Sequence, residues 1–583
     1  MTQKRHDHAR MPAALVGIRV VHRKLIFLAR RLKKHPAWGM MLSATPYVAA
    51  CIAIAVASSQ IVPINMDEFI AYHPIVCIFY PLNALNVYRE ACGLYDLDVL
   101  GTGMVLPLRA FGYLGSSMSL LYFPFFLLWR DVESARLLGC LLLSLQAFCI
   151  AKLFRFKIWM TFAAVWAFFP YAFQHVIDTG PLGLQTTSVF LLYLLFRNWT
   201  KTIRMHFLLS VALILFFCLW TKMVFLWLLP GVAVLFLLEM IEQRNTLFRK
   251  KNVWKIARQA SVAAAALFLP LGTLLFSTTP GSPSHRPLLA VLLKSEQYGW
   301  KELWERFWDL LVTFRALHPL EATHRVFEPE RLMTAFTSFT TFYDVTVFLA
   351  PAAFCVLLLI ALPLRVSGKK LLRALLFHGL FVMTFIIIAR TKAAGSMHHA
   401  ILAFPFLILA YASTAEAVLA TECRTLLQRL LRAGVILLGV VIIAENLFLY
   451  GVMFTLRPRT HDDPSKVVVH RILYDPLPAS EYIYVVTDWG MYYYLGLFGE
   501  RAQSVVYFQP VNTKAHIAEL QSVAAAHSRK LLFIYNSKET ADDLPLITAT
   551  VPAAECGAIP PGAVWRILAQ DVHTIPGCAQ AKL

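Results

Sequence analysis

The feature that most constrains this chain is a series of apolar segments, many near the length of a bilayer span, separated by short polar stretches. They fall at about 41–63, 134–153, 158–177, 184–197, 206–222, 223–240, 260–277, 345–364, 374–390, 400–419 and 433–455. A bilayer core calls for about 20 residues of helix, and only helices or closed barrels satisfy their own backbone there. The expected fold class is therefore a polytopic α-helical membrane protein of about eleven transmembrane helices. Composition agrees: 58% of residues are hydrophobic and 15% charged, against roughly 45–50% and about 25% in soluble domains.

The formal charge of +20 sits in Lys and Arg clusters between the apolar segments, as in cytoplasmic loops. Membrane lipid, and not nucleic acid, is the expected partner of that charge. Residues 1–40 form a basic N-terminus. Within it, residues 12–34 mix apolar and basic side chains at helical spacing, which suits a helix lying on an anionic leaflet. It runs into a span too long for a signal-peptide core, so the N-terminus is read as a cytoplasmic anchor. The ten cysteines are scattered, with no CxxC and no zinc spacing.

Topology turns on Tyr113–Trp129, which is apolar enough to cross. If it does not cross, Arg155/Lys157, Arg197/Lys201/Arg204, the run Arg244–Arg258, Arg365/Lys369/Lys370/Arg373 and Arg424/Arg429/Arg432 all share the cytoplasmic side. If it crosses, every cluster flips outward against the positive-inside rule. The segment is read as interfacial or re-entrant, which suits its Gly115, Pro124 and three serines. A transmembrane domain then spans 41–456, with outer loops 64–133 and 278–343.

On this parity the outer face receives Asp67-Glu68 after the first span, Asp178 in the turn Ile177–Pro181, Lys222 in a hairpin, and Arg390, Lys392, His398 and His399 in a late turn. Adjacent carboxylates at the mouth of a span are costly unless solvated or used. The plain alternative is a capped helix start for the acids and a snorkelling helix end for Lys222. Residues 457–583 change character. Strands at Tyr482–Thr487, Ser504–Phe508, Leu531–Tyr535 and Val564–Leu568, with a helix at Thr513–His527, describe a periplasmic α/β domain. Thr487-Asp488-Trp489-Gly490 lies where a strand gives way to a helix, a common binding position in open α/β sheets, with an N-cap as the other reading of Asp488. Cys556 and Cys578 are a possible disulfide pair on the oxidising side, as are Cys77 and Cys92.

Carboxylates that deprotonate an acceptor hydroxyl, with cations that stabilise a leaving phosphate, suit a reaction on a lipid-borne phosphate. No glycine-rich phosphate loop is present, so no nucleotide cofactor is expected. A transporter would place ionisable groups near the midplane, often within internal repeats. That lipid or solute transporter, a polysaccharide polymerase or ligase, and a structural subunit are the alternatives.

The arrangement resembles the GT-C-type integral-membrane glycosyltransferases, which include lipid A aminoarabinose transferases and protein O-mannosyltransferases. Asp67-Glu68 sits where that family carries its first-loop acidic motif, and Asp178 is similar to its second acidic position. Trp220-Thr221-Lys222 resembles the family's Thr-Lys. Arg390, Lys392, His398 and His399, ahead of Phe404-Pro405, resemble its late basic turn. The Lys-Pro-Pro or His-Pro-Pro element that often follows the acids is absent, and His73-Pro74-Ile75 is only partly like it.

The resemblance implies inverting transfer of a sugar from a polyprenyl-phosphate donor to a lipid, glycan or protein acceptor. It places Asp67 as acid/base, with Glu68 and Asp178 beside it, and the basic residues around the donor phosphate. Related enzymes can carry a divalent metal near that phosphate. His318, Glu321 and His324 would lie near one another on a helix and are the expected ligands if a metal is bound. The expected location is the outer face of a bacterial inner membrane. Ala-rich helices and the inner-side position of the sequon Asn198-Trp199-Thr200 support a bacterial origin.

Overall fold

The computed structural model describes residues 36–61, 71–72, 74–75, 96–98, 105–107, 109–111, 114–129, 132–167, 171–177, 180–276, 299, 301–307, 356, 368–391, 397–419, 425–455, 482–486, 505–507, 513–526, 528–536, 554–555 and 565–569. Two compact units divide the chain, Met1–Ile54 and Ala55–Leu583. Of the first, residues 36–54 are described; they open helix α1 (Pro36–Ile61), whose last turns belong to the second.

Two short antiparallel ribbons follow, β1 (Asp96–Asp98) with β2 (Val105–Pro107) and β3 (Arg109–Phe111) with β4 (Leu114–Gly115). They lead into α2 (Ser117–Leu128), so the ambiguous segment is a scrap of strand and a helix of 12 residues. That makes about 18 Å of helix, short of the roughly 30 Å hydrocarbon core. Ser117, Met118, Ser119, Tyr122 and Phe126 face inward, while Leu127 and Leu128 are exposed.

The bundle continues with α3 (Val132–Phe154), α4 (Ile158–Trp166), α5 (Tyr171–Ile177), α6 (Pro181–Thr202), α7 (Met205–Thr221), α8 (Leu229–Glu242), α9 (Lys250–Phe276), α10 (Gly368–Arg390), α11 (Phe404–Leu419) and α12 (Leu426–Thr455). Single 3₁₀ stretches, Met223–Trp227 and Met397–Ala403, precede α8 and α11. Among the described residues, four helical stretches are long and apolar enough to cross a membrane: Glu133–Phe154, Lys369–Arg390, Ile401–Leu419 and Leu426–Ala444. Leu426, Leu430, Leu437, Val440 and Leu447 of α12 are exposed, as on a helix with one side turned to lipid.

Two sequence expectations change. The span placed at 158–177 is two short helices, α4 and α5, with Pro170 in the sequence between them. The span placed at 223–240 begins as a 3₁₀ stretch and becomes α-helical only at Leu229, with Pro230 in its first turn. Proline disfavours helix in the preceding residue and is welcome in a first turn.

Helix α6 is central, packing on α3, α7, α8 and α11. Its buried face includes Gln185, Thr186, Thr187 and Ser188. Near its far end an ion network ties three helices. Arg373 Nη2 on α10 lies 3.4 Å from Glu239 Oε1 on α8, Arg197 Nε on α6 lies 3.9 Å from the same oxygen, and Arg373 also donates to Glu242. Glu239 is fully buried. Arg373→Met strands that carboxylate and is expected to cost roughly 3–5 kcal/mol. Lys370→Ala, which breaks the half-exposed Lys370–Glu416 pair at 3.2 Å, is expected to cost under about 1 kcal/mol. Thermal melting of the detergent-purified variants checks both.

In the C-terminal region β5 (Tyr482–Val486), β6 (Val505–Tyr507), β7 (Lys530–Asn536), β8 (Ala554–Glu555) and β9 (Trp565–Ala569) form one sheet in the order β6-β5-β7-β9-β8. β5 is parallel to both β6 and β7, and β9 is antiparallel to β7 and β8. Helix α13 (Thr513–Ala526) connects β6 to β7 and packs on β7. The four long apolar runs read as strands fall within a residue or two of their observed limits. All five residues of β5 are buried, as expected of a strand flanked by parallel neighbours.

Candidate active site

Lys222 is a nearly buried cation at a corner between two elements, 7% exposed. α7 ends at Thr221, Lys222 is extended (φ −158°, ψ 127°), and the 3₁₀ stretch starts at Met223. The break leaves carbonyls that need donors. Gln185 of α6 supplies them, donating from Nε2 to Lys222 O and, at 3.3 Å, to Cys218 O. The Lys222 N–H donates to Cys218 O at 3.2 Å. The backbone of this corner is thus held without help from the Lys222 side chain.

Helix α2 closes over the same corner. Thr221 Oγ1 gives its proton to Phe217 O at 2.7 Å, so Ser117 is the donor in the Ser117–Thr221 hydrogen bond. Just before it, Gly115 lies so close that a Cβ there would sit 1.7 Å from Trp220 O and 2.6 Å from Trp220 Cδ1. Gly115→Ala must push β4 off the corner. The expected cost is about 1–3 kcal/mol, read by thermal melting.

Two residues along α2, Ser119 Oγ donates to Ala71 O at 2.9 Å. Tyr72 packs its ring on Tyr122 at 4.5 Å, and Tyr122 shares a hydrogen bond with Ser134 of α3. Ala71, Tyr72 and Ile75 are fully buried. One short helix therefore holds both the Thr221-Lys222 corner and residue 71. Asp67 and Glu68 lie outside the described residues, but four peptide units put Asp67 within about 14 Å of Ala71 by chain length alone.

On the other flank, the ring of His399 meets Trp227 edge to face at 5.4 Å. That places the 3₁₀ stretch Met397–Ala403 beside the one that follows Lys222. Helix α10 packs against both and ends at Arg390, which is exposed. His398 belongs to the same stretch by backbone, while its side chain, Lys392 and Asp178 fall outside the described residues.

Asp178 follows α5 by one residue, and α5 is pinned. His175 Nδ1–H donates to Tyr171 O at 2.8 Å, and since a carbonyl only accepts, Nε2 is the acceptor for Gln146 Nε2–H at 3.0 Å. Tyr171 OH donates to Gln146 Oε1 at 2.7 Å, and Gln146 donates on to Thr187 at 2.9 Å. The network joins α3, α5 and α6, and every member is buried.

The structure thus ties Ala71, three residues after Glu68, to the helix that closes over the Thr221-Lys222 corner, and sets His399 against Trp227 of the stretch that follows Lys222. Sequence reading missed Ser117, Ser119, Gln146, His175 and Gln185 as builders of the site. Among the described residues no three His, Cys, Asp or Glu side chains are grouped to hold a metal; His318, Glu321 and His324 lie outside them, as does Asp488.

No family model and no curated protein matches the chain. Among solved structures, ArnT from Cupriavidus metallidurans bound to undecaprenyl phosphate matches with a TM-score of 0.50 and 12% identity, over 90% of this chain and 98% of that one. ArnT from the same organism in the apo state gives 0.49 and 12%, over 92% and 99%. The oligosaccharyltransferase AglB from Archaeoglobus fulgidus, in complex with an inhibitory peptide and a dolichol-phosphate, gives 0.38 and 11%, over 93% and 78%. The chain has the fold of ArnT bound to undecaprenyl phosphate, the fold expected from the resemblance drawn from the sequence.

Proposed function

We propose that the protein is an inverting glycosyltransferase that moves a sugar from a polyprenyl-phosphate donor to a lipid, glycan or protein acceptor at the outer face of a bacterial inner membrane. The observation that carries the reading is the double tie of α2, Ser117 to Thr221 and Ser119 to Ala71, which gathers a buried lysine and the end of an acidic loop. Asp67 takes the proton of the acceptor hydroxyl as its oxygen attacks the anomeric carbon. The bond from that carbon to the phosphate oxygen breaks on the opposite face, and polyprenyl phosphate leaves on Lys222, with Arg390, Lys392, His398 and His399 around it. Glu68 and Asp178 complete the acidic side. His318, Glu321 and His324 are the residues that would hold a divalent ion, which would add positive charge at the phosphate.

The reading includes eleven spans, a cytoplasmic N-terminus and a periplasmic domain at 457–583. The fold shared with ArnT bound to undecaprenyl phosphate supports the donor class. The test is reconstitution with a polyprenyl-phosphate sugar and a membrane extract. Free polyprenyl phosphate appearing in step with a new glycosidic product supports transfer. Movement of the intact donor across the liposome without cleavage sinks it in favour of a transporter.

A further inference from the structure

At the end of the bundle opposite the Lys222 corner, exposed cations gather. α7 runs from Met205 to Thr221, so its start lies about 25 Å from that corner. There Gln259 of α9 joins three elements. Trp199 Nε1–H of α6 donates to Gln259 Oε1 at 2.8 Å, and Gln259 Nε2–H donates to Ile203 O, in the turn between α6 and α7, at 3.0 Å. Arg204 and Arg258 each adjoin one partner of that second bond, which sets them at one level of the bundle. Both are exposed, as is Lys255 one turn earlier on α9. Among the described residues, ion pairs engage Arg197, Lys370 and Arg373, whereas Arg204, Lys255 and Arg258 have no acid in ion-pair reach.

The outward face of α9 shows what fits over these charges. Trp254, Arg258, Ser261, Ala265 and Phe268 recur at steps of four and three, so they form one stripe of the helix. All five are exposed, while Gln259 and Ala263 on the other side are buried. Over about three turns the stripe passes from indole and guanidinium to purely apolar. Trp254 is 82% and Phe268 63% exposed. An indole beside cations belongs at headgroup level and an open phenyl ring beyond it belongs among acyl chains. A soluble anion would use the cations alone; an amphiphile uses the whole stripe.

We propose that Arg204, Lys255, Arg258 and Trp254 form a docking site for the headgroup of an anionic phospholipid in the leaflet away from the Lys222 corner, with its acyl chains along Ala265 and Phe268. The site does not depend on the transfer reaction. Native mass spectrometry of the full chain in detergent, titrated with dioleoyl phosphatidylglycerol, counts bound lipid. The expected result is a retained lipid held more tightly than phosphatidylcholine. Affinity is expected to fall roughly thirtyfold in Arg204→Gln/Arg258→Gln, about fivefold for each cation. Lys369→Gln/Arg429→Gln removes the same charge from exposed positions on α10 and α12 and is expected to leave that affinity near wild type. Phe268→Ser is expected to weaken the dioleoyl lipid and not its dihexanoyl counterpart. All the substituted side chains are exposed, so the variants are expected to melt with wild type. Equal losses in the two double variants reduce the effect to net charge and overturn the proposal, as does equal binding of phosphatidylcholine. Displacement by inorganic phosphate as effective as by lipid assigns the cations to a soluble anion and overturns the lipid assignment. Since the readout is lipid binding, failure here leaves the transferase reading standing, and a wild type that transfers nothing leaves this site standing.

Discussion

Lys222→Met is expected to abolish measurable transfer and to weaken binding of polyprenyl phosphate at the same time. The side chain is nearly buried, and its backbone neighbours are fixed by Gln185, Cys218 and Phe225 whatever occupies the position. Met fills a similar volume, so the variant is expected to fold and melt near wild type. What is lost is a nearly buried positive charge, which in the proposed reaction faces the negative charge gathering on the leaving phosphate. Removing one such stabilising group costs about 10²–10³ in kcat. Lys222→Arg is not expected to restore it, because a planar guanidinium does not fit where a compact ammonium is enclosed. Donor affinity measured by titration and turnover by product counting check the pair, and unchanged affinity in Lys222→Met would remove the residue from the phosphate site.

Asp67→Asn is expected to separate the two halves of the chemistry. It keeps the shape and much of the polarity of the loop but has no basic oxygen for the acceptor's proton. General-base contributions run about 10²–10⁴-fold, and the expected result is a loss of that size in kcat with donor affinity close to wild type. A variant that binds donor and fails to turn over, beside Lys222→Met that fails at both, assigns the roles. Retained turnover in Asp67→Asn would place the base elsewhere.

The membrane character was legible because long apolar runs with basic clusters admit few other folds, and α3, α7, α10 and α12 lie where those runs fall. The strands of the C-terminal sheet were legible for a related reason, since short β-branched and aromatic runs bounded by polar stretches fit little else. The break between α4 and α5 carried a signal in Pro170 that the apolar run around it concealed. Of the candidate site, the sequence marked charged residues, and Lys222 is the one whose surroundings the structure describes most fully. Lys222 stands out in an apolar hairpin, and its Thr-Lys pair matches a family pattern. The groups that build the corner do not stand out: Ser117 meets Thr221 across 104 positions and Ser119 meets Ala71 across 48. Pairings of that range leave no periodic trace.

The central claim is that the acidic loop and the Lys222 corner form one site on the outer side of the membrane, and it can be tested without knowing the sugar or the acceptor. Asp67→Cys and Lys222→Cys are placed together in a cysteine-free background and treated with a short bifunctional maleimide added from the periplasmic side, with Ser117→Cys/Thr221→Cys, whose side chains touch, joined by an oxidant as a disulfide control. The account predicts an intramolecular cross-link in both pairs. A cross-link in the control alone, or reaction at position 67 only from the cytoplasmic side, would contradict it.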